Sequence, residues 1–131
     1  MQEQNKKINS YSDLIVWQMA IELVVEVYNL TDKFSKSELF GLTSQMRRAS
    51  VSIPSNIAEG RRRGSRKDFC HFLITAYGSG GELETQVVIA KKLKYARIED
   101  YKKVDSILDE VMRMLNSMIQ KLQANKLPAT S

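Results

Sequence analysis

The stretch GLTSQMRRASVSIPSNIAEG, residues 41–60, decides the fold that we predict for this chain. Its apolar residues recur at spacings of three and four, which places them on one face of a helix. They are Leu42, Met46, Ala49, Ile53 and Ile57. Pro54 falls inside this pattern and removes one backbone donor, so a kink is expected there. Because the period continues beyond the proline, we predict one kinked helix that ends at Gly60 as its C-cap.

The next segment along the chain predicts a longer helix with the same period. Ser65 is a suitable N-cap, with Asp68 three residues further on. The apolar positions that follow are Phe69, Leu73, Ala76, Gly80, Leu83, Val87 and Ala90. The run from Gly78 to Gly81 interrupts this helix, and each glycine there costs about 1 kcal/mol relative to alanine. We therefore predict that a neighbouring helix approaches closely at this run.

Two further helices complete the pattern. A fourth segment over about residues 100–123 repeats at Val104, Leu108, Val111, Leu115, Met118 and Leu122. The first segment, with Ser12 as N-cap and its end near Lys33, carries two adjacent apolar stripes. One stripe is Leu14, Trp17, Ile21, Val24 and Tyr28, and the other is Val16, Ala20, Leu23, Val27 and Leu30. This is wider than one intramolecular face requires, so the helix is either central or packed against another subunit.

Four helices with short links predict the fold class: an all-α, up-down-up-down, left-handed four-helix bundle that is oligomeric. The chain of 131 residues has the size of one domain. We predict that the bundle covers residues 12–123. The predicted flexible tails are residues 1–11 and 124–131.

Composition restricts the classes of function only in part. The chain has 20 basic and 15 acidic residues, a net charge of +5, which suits nucleic acid, an anionic membrane or an acidic partner and selects none of them. Cys70 is the only cysteine, as expected in a reducing compartment. The polar N-terminus does not resemble a signal peptide, and charged residues interrupt the apolar run from Leu14 to Leu30. We expect a cytoplasmic protein without a membrane partner.

A search for catalytic chemistry finds no convincing set of residues. His71 is the only histidine, and its neighbour Cys70 projects about 100° away around the helix. Asp68 and His71 have the spacing used in di-metal bundles, but such sites need two histidines. The glycine run lacks the lysine of a phosphate-binding loop. We therefore expect no enzyme activity, no cofactor, no metal site and no small-molecule substrate.

Polar residues form a row beside each of the two central apolar stripes. The row on the second helix is Gln45, Arg48, Ser52, Asn56 and Glu59, and that on the third is Thr75, Ser79, Glu82 and Gln86. In an antiparallel pair, Arg48 would lie near Ser79 and Glu82, and we predict an ion pair between Arg48 and Glu82. The rows predict either a polar cleft or a network of hydrogen bonds between helices that fixes their register.

Basic residues concentrate around the turn between the second and third helices, with Glu59 as the only acid between positions 47 and 67. They are Arg47, Arg48, Arg61, Arg62, Arg63, Arg66 and Lys67. Such a cluster binds phosphate without reading sequence. The alternative is plain surface charge or a protein partner, since cations are also favourable at a helix C-terminus. A second cluster, residues 91–97, lies at the other end of the third helix.

The motif in residues 41–60, together with residues 13–18 and 78–86, closely resembles a four-helix bundle family. That family includes proteins encoded in intervening sequences of bacterial large-subunit ribosomal RNA genes. The resemblance covers about residues 12–122 and implies an up-down bundle that assembles as a homopentamer. A similar bundle, the accessory protein of diversity-generating retroelements, forms a basic pentameric barrel that binds nucleic acid.

The resemblance implies no enzyme activity, so most of the motif is read as fold and assembly residues. Within it, Arg47 and Arg48 are the obvious phosphate candidates. Two functions follow as hypotheses. One is an oligomer that binds nucleic acid, RNA rather than DNA. The other is a structural or protein-interaction bundle without a nucleic-acid ligand.

Overall fold

The computed structural model describes residues 10–126, with side chains as far as residue 124. Within that range the secondary structure is helical, with no strand, which confirms the predicted all-α fold. The four helices are α1 (Ile15–Thr31), α2 (Leu42–Arg63), α3 (Arg66–Lys92) and α4 (Lys102–Lys126). Helices α2 and α4 each pack against both α1 and α3, so the helices follow the chain order around the bundle.

The core shows which of the two stripes of α1 faces inward. The stripe that runs from Val16 to Leu30 is buried, whereas Ile21 and Tyr28 of the other stripe keep 39% and 40% of their surface exposed. Helix α1 therefore lies at a corner of the bundle, and the prediction of a central helix is wrong. The alternative, a contact with another subunit, stays a prediction.

Helix α2 continues through Pro54 without a break, as predicted, but it ends later than predicted. Its C-cap is Gly64, which has a φ of 86°, a left-handed conformation that glycine adopts at low cost. Gly60 lies inside the helix and is buried against α3. A Cβ atom at Gly60 would lie 2.7 Å from the Cβ of Phe72 and 3.4 Å from the Cα of Phe69. The missing side chain thus allows close approach of α2 and α3.

The glycine run of α3 serves close packing at one position only. A Cβ atom at Gly80 would overlap the sulfur of Met112 on α4, whereas Gly78 and Gly81 have open space around them. The predicted close approach of a neighbouring helix is therefore confirmed at Gly80. Within a single chain it is wrong for Gly78 and Gly81, which lie on the outer surface of α3.

Alanine substitutions should separate these two kinds of glycine. We expect Gly60→Ala to lower the free energy of unfolding by about 1–2 kcal/mol, because its new methyl group meets a Cβ that cannot rotate away. The same change at Gly78 should raise the free energy of unfolding by up to about 1 kcal/mol, since alanine favours the helix and meets nothing. Urea denaturation of both variants measures the difference. Equal effects would contradict the assigned role of Gly60.

The helix starts agree with the sequence at α3 and differ at α1. The hydroxyl of Ser65 accepts a hydrogen bond from the backbone N–H of Asp68 at 3.0 Å, as predicted for an N-cap. Ser12, predicted as the N-cap of α1, lies instead in a short 3-10 turn, Tyr11–Asp13. The hydroxyl of Ser10 accepts from the N–H of Ser12 and forms this turn, so that α1 begins only at Ile15.

The predicted tails lie mostly outside the described residues, which exclude residues 1–9 and 127–131. Residues 10–11 belong to the N-terminal turn, and α4 continues to Lys126. The helical part of the chain therefore extends slightly beyond both predicted boundaries.

The two loops at one end of the bundle hold each other in place. The ring of Phe34, which follows α1, lies 5.4 Å from the ring of Tyr95, which follows α3. The hydroxyl of Tyr101 donates a hydrogen bond to the carbonyl of Tyr95. Burial, followed by the charges of Asp100 and Asp105, raises the pKa of Tyr101 to about 12, so this donor keeps its proton at neutral pH. The turn between α2 and α3 lies at the opposite end.

Candidate nucleic-acid interface

The turn between α2 and α3 gathers five of the predicted basic residues. Arg61, Arg62 and Arg63 form the last turn of α2, and Arg66 and Lys67 begin α3. The positive φ of Gly64 reverses the chain between them. Cations are favourable at the C-terminus of α2 but unfavourable at the N-terminus of α3, where the backbone N–H groups already carry partial positive charge. The side chains of Arg66 and Lys67 add to the partial positive charge of these N–H groups, which favours an anion beside the start of α3.

Two of the five side chains contact the protein. The guanidinium of Arg63 is paired with Glu59 at 2.8 Å and lies 4.9 Å from the ring centre of Phe72. The guanidinium of Arg61 lies 5.6 Å from the ring centre of Phe69. Because Arg63 and Glu59 are both about half exposed, their ion pair contributes at most about 1 kcal/mol. It competes weakly with a phosphate.

The remaining three cations of the turn are exposed and available. Among the residues that the structure describes, none forms a hydrogen bond or an ion pair with the side chain of Arg62, Arg66 or Lys67. We call these three residues the basic turn. Together with Arg48, which lies further along α2, they are the members of the predicted phosphate-binding set that have no counter-charge among the described residues.

A cavity of about 690 Å³ opens beside the basic turn. Its walls come from Arg61, Arg62 and the segment from Gly64 to Arg66, and Phe69 and Leu122 also line it. The cavity therefore combines guanidinium groups with the N-terminus of α3 and an apolar wall. A phosphate oxygen can approach from the solvent side without displacing a protein carboxylate.

The predicted set is divided by the fold, because Arg47 faces α1. Its Nε donates to the hydroxyl of Thr31 at 2.9 Å, and its Nη2 is paired with Asp32 at 2.9 Å. The guanidinium also lies 4.4 Å from the ring centre of Tyr28, and only 21% of the side chain is exposed. The structure thus gives Arg47 a role in joining α1 to α2, away from the basic turn.

The two polar rows meet between α2 and α3, as the antiparallel arrangement predicts. The hydroxyls of Ser52 and Ser79 are 2.8 Å apart, and the side-chain amide of Asn56 donates to the carbonyl and the hydroxyl of Ser52. The contact between Ser52 and Ser79 joins the two helices and sets their register, and Asn56 holds Ser52 from within α2. Glu59 is not among them, because its partner is Arg63 on its own helix.

The predicted ion pair between Arg48 and Glu82 is absent. Both side chains line one polar groove of about 380 Å³, the α2–α3 groove, together with Gln45, Ala49, Ser52 and Ser79. Yet Arg48 has no hydrogen-bond or ion-pair partner in residues 10–124. The side chain of Arg48 is exposed, so water solvates its charge and no ion pair is required.

Two of the four cations in the second basic cluster, at the other end of α3, are paired with acidic residues. Lys91 is paired with Asp105 at 2.7 Å. Arg97 lies 3.6 Å from Glu99 and 3.8 Å from Asp100. Lys92 and Lys94 of this cluster are exposed and have no ion-pair partner among the described residues.

Two exposed apolar stripes lie on opposite sides of the bundle. The α1 stripe is Ile21, Val25 and Tyr28, and it lies towards α2, because Arg47 of α2 contacts Tyr28. The α3 stripe is Ile74, Tyr77 and Val88, and it lies towards α4, since Val88 lines a groove with Asp105 and Leu108. Our sequence reasoning missed the α3 stripe, although its residues are 3 and 11 positions apart, which places them on one face of a helix.

Other kinds of site are not found in the described part of the chain. Cys70 is buried and His71 is exposed, so the two lie on different sides of α3. No group of three or more potential metal ligands occurs between residues 10 and 124. None of the described helices is long and apolar enough to cross a membrane.

The fold and the basic turn define a class: four-helix bundle proteins with a cationic end. Residues 12–117 match the family model described as 23S rRNA-intervening sequence protein, and the chain belongs to this family. The resemblance noted in the sequence is thus confirmed. A search of curated proteins finds no match.

A solved structure supports the same assignment. It is a protein of unknown function from the S23 ribosomal protein family of Bacteroides thetaiotaomicron VPI-5482, with 26% sequence identity and a TM-score of 0.74. The match covers 81% of this chain and 96% of the other.

Proposed function

We propose that this protein is a non-enzymatic, oligomeric bundle that binds nucleic acid, RNA rather than DNA, through the phosphate backbone. The observation that carries the proposal is the basic turn: Arg62, Arg66 and Lys67 have no internal counter-charge and flank the N-terminus of α3. The preference for RNA rests on the family description, which refers to ribosomal RNA. We assign the protein to the cytoplasm, where its free cysteine would stay reduced.

The two exposed apolar stripes support the oligomeric part of the proposal. Because they differ in sequence and lie on opposite sides, the α1 stripe of one subunit packs against the α3 stripe of the next. Such head-to-tail contacts generate a ring when the rotation closes. Five subunits are expected from the family resemblance. In a ring, all copies of the basic turn lie at the same end and form a repeated cationic rim.

A structural or protein-interaction bundle is the second candidate function. It is favoured by exposed apolar side chains at the end opposite the basic turn, where Phe40 is 93% exposed and Ile98 is 67% exposed. Under this alternative the charge of the basic turn serves solubility.

A salt titration separates the two candidates. If each subunit contacts three phosphates, the affinity for single-stranded RNA should fall with a slope of about −2 in log K against log salt concentration for each subunit engaged. Fluorescence anisotropy with labelled RNA, from about 50 mM to 200 mM salt, measures this slope. No binding at the lowest salt, or a slope near zero, would favour the interaction bundle.

A further inference from the structure

The α2–α3 groove holds opposite charges that do not neutralise each other. Arg48 on α2 and Glu82 on α3 line it from its two walls, and they form no ion pair. Glu82 has one contact, a hydrogen bond of 3.5 Å from the side-chain amide of Gln86. Ser52 and Ser79 satisfy each other across the helices. The groove therefore offers one donor group and one acceptor group to a ligand.

A buried acceptor lies next to this groove. Gln86 is only 5% exposed, and its Oε1 atom has no hydrogen-bond partner. Its Nε2 atom faces Glu82. In the register that Ser52 and Ser79 fix, Gln86 lies opposite Gln45. Because an unsatisfied buried acceptor is costly, a donor that reached this carbonyl from the groove would be favoured.

We propose that the α2–α3 groove binds one unstacked guanine base of a single-stranded RNA. The inference rests on the proposed RNA binding and adds a base preference to it. The Glu82 carboxylate accepts from the N1–H and N2–H groups of guanine. The Arg48 guanidinium donates to O6 and N7, its preferred pairing with this base. Gln86 Oε1 accepts the second hydrogen of the N2 amine.

The other bases match these groups less well. Guanine alone presents two adjacent donors on one edge and two acceptors on the next. Adenine has an amine but no ring N–H beside it, and its N1 would face the carboxylate as an acceptor. Cytosine offers a single amine, and uracil offers a single N–H between two carbonyls. Each would leave a charged side chain of the groove without its partner.

The size and position of the groove suit one base of a bound strand. Its volume of about 380 Å³ is at the lower end of the range of about 300–1,000 Å³ for ligand sites. Arg48 lies fourteen residues before Arg62 on the same helix, about 21 Å along its axis. This number of residues equals nearly four turns, so both side chains project to the same side of α2. The α1 and α3 stripes lie on other edges, so the groove stays open in the proposed ring.

The test uses single-stranded uridine-rich RNA with one variable base, at moderate salt. We expect guanine at this position to bind at least about fivefold tighter than adenine or uracil. Hypoxanthine, which lacks the N2 amine but keeps N1–H, should retain one hydrogen bond to Glu82 and lose the contacts that the amine makes with Glu82 and Gln86. The base 7-deazaguanine, which lacks N7, should lose part of the contribution of Arg48.

Two variants test whether the preference for guanine depends on Glu82. Glu82→Gln should abolish the preference for guanine and leave the salt slope unchanged, whereas the control Glu84→Gln, on the same helix but outside the groove, should retain the preference. Equal affinity for all bases in the parent, with a normal salt slope, overturns the guanine site and leaves the proposed RNA binding intact. A preference that survives Glu82→Gln also overturns the site. Absence of any RNA binding at low salt would refute both proposals.

Discussion

Changing Arg62, Arg66 and Lys67 together to glutamine is expected to weaken RNA binding on the order of 10- to 100-fold at low salt. These side chains have no internal partner, so their loss should remove up to three phosphate contacts per subunit and leave the fold intact. The slope of log K against log salt concentration should become flatter by about 2 for single-stranded RNA. Anisotropy titrations at several salt concentrations measure both quantities.

The matched control removes the same charge from the other end of the bundle. Lys92, Lys102 and Lys103 are also exposed and have no ion-pair partner in the described part of the chain. Their triple glutamine variant has the same net charge as the first. We expect it to keep most of the affinity and the salt slope of the parent. If the two variants weaken binding equally, the effect comes from net charge and the basic turn is not the site.

The second large effect should be loss of assembly. A lysine at Val25 or at Val88 introduces a charge into the centre of a proposed contact, where assembly would strip it of its water. Both positions are about half exposed in the single chain, and each has a glutamate one turn earlier on the same helix, Glu22 and Glu84. The subunit itself should therefore keep its stability. Light scattering should show a fall from a multiple of 15.0 kDa to 15.0 kDa.

Mixing the two variants tests the head-to-tail arrangement. Val25→Lys keeps an intact α3 stripe, and Val88→Lys keeps an intact α1 stripe. The mixture should therefore form a pair with twice the chain mass, while each variant alone stays monomeric. Gln120→Lys, on the exposed side of α4, should assemble like the parent. A variant that still dimerises alone would indicate that each stripe pairs with itself. A monomeric parent would contradict the assembly altogether.

The difference between Gly60 and Gly64 shows that the local sequence does not decide which glycine ends α2. Both glycines follow the apolar period of α2, and either can end a helix by sequence criteria. The choice depends on α3, which passes so close to Gly60 that no side chain fits there. A contact between two helices thus decides which glycine is a cap, and the sequence of α2 alone does not contain that contact.

In the candidate site, too, some properties are evident from the sequence and others only from the packed structure. The basic residues are visible in the sequence, but their availability is not. Arg47 and Arg62 are equally charged, yet Arg47 is held by Thr31 and Asp32 of α1, while Arg62 has no partner in the described residues. Likewise, Arg48 and Glu82 were expected to pair. The structure shows them apart, because their exposure to solvent removes the need for neutralisation.

By itself, the sequence determined the four helices, their antiparallel order, the register between the polar rows and the family. The helices, their order and their register follow from hydrophobic periodicity and short links, which are visible over a few residues. The family follows from the resemblance of the motif in residues 41–60. The tertiary structure decided which stripe of α1 is buried, which glycines are close contacts and which cations remain unpaired. Each of these depends on distances between residues far apart in the chain, and such distances exist only once the helices have packed.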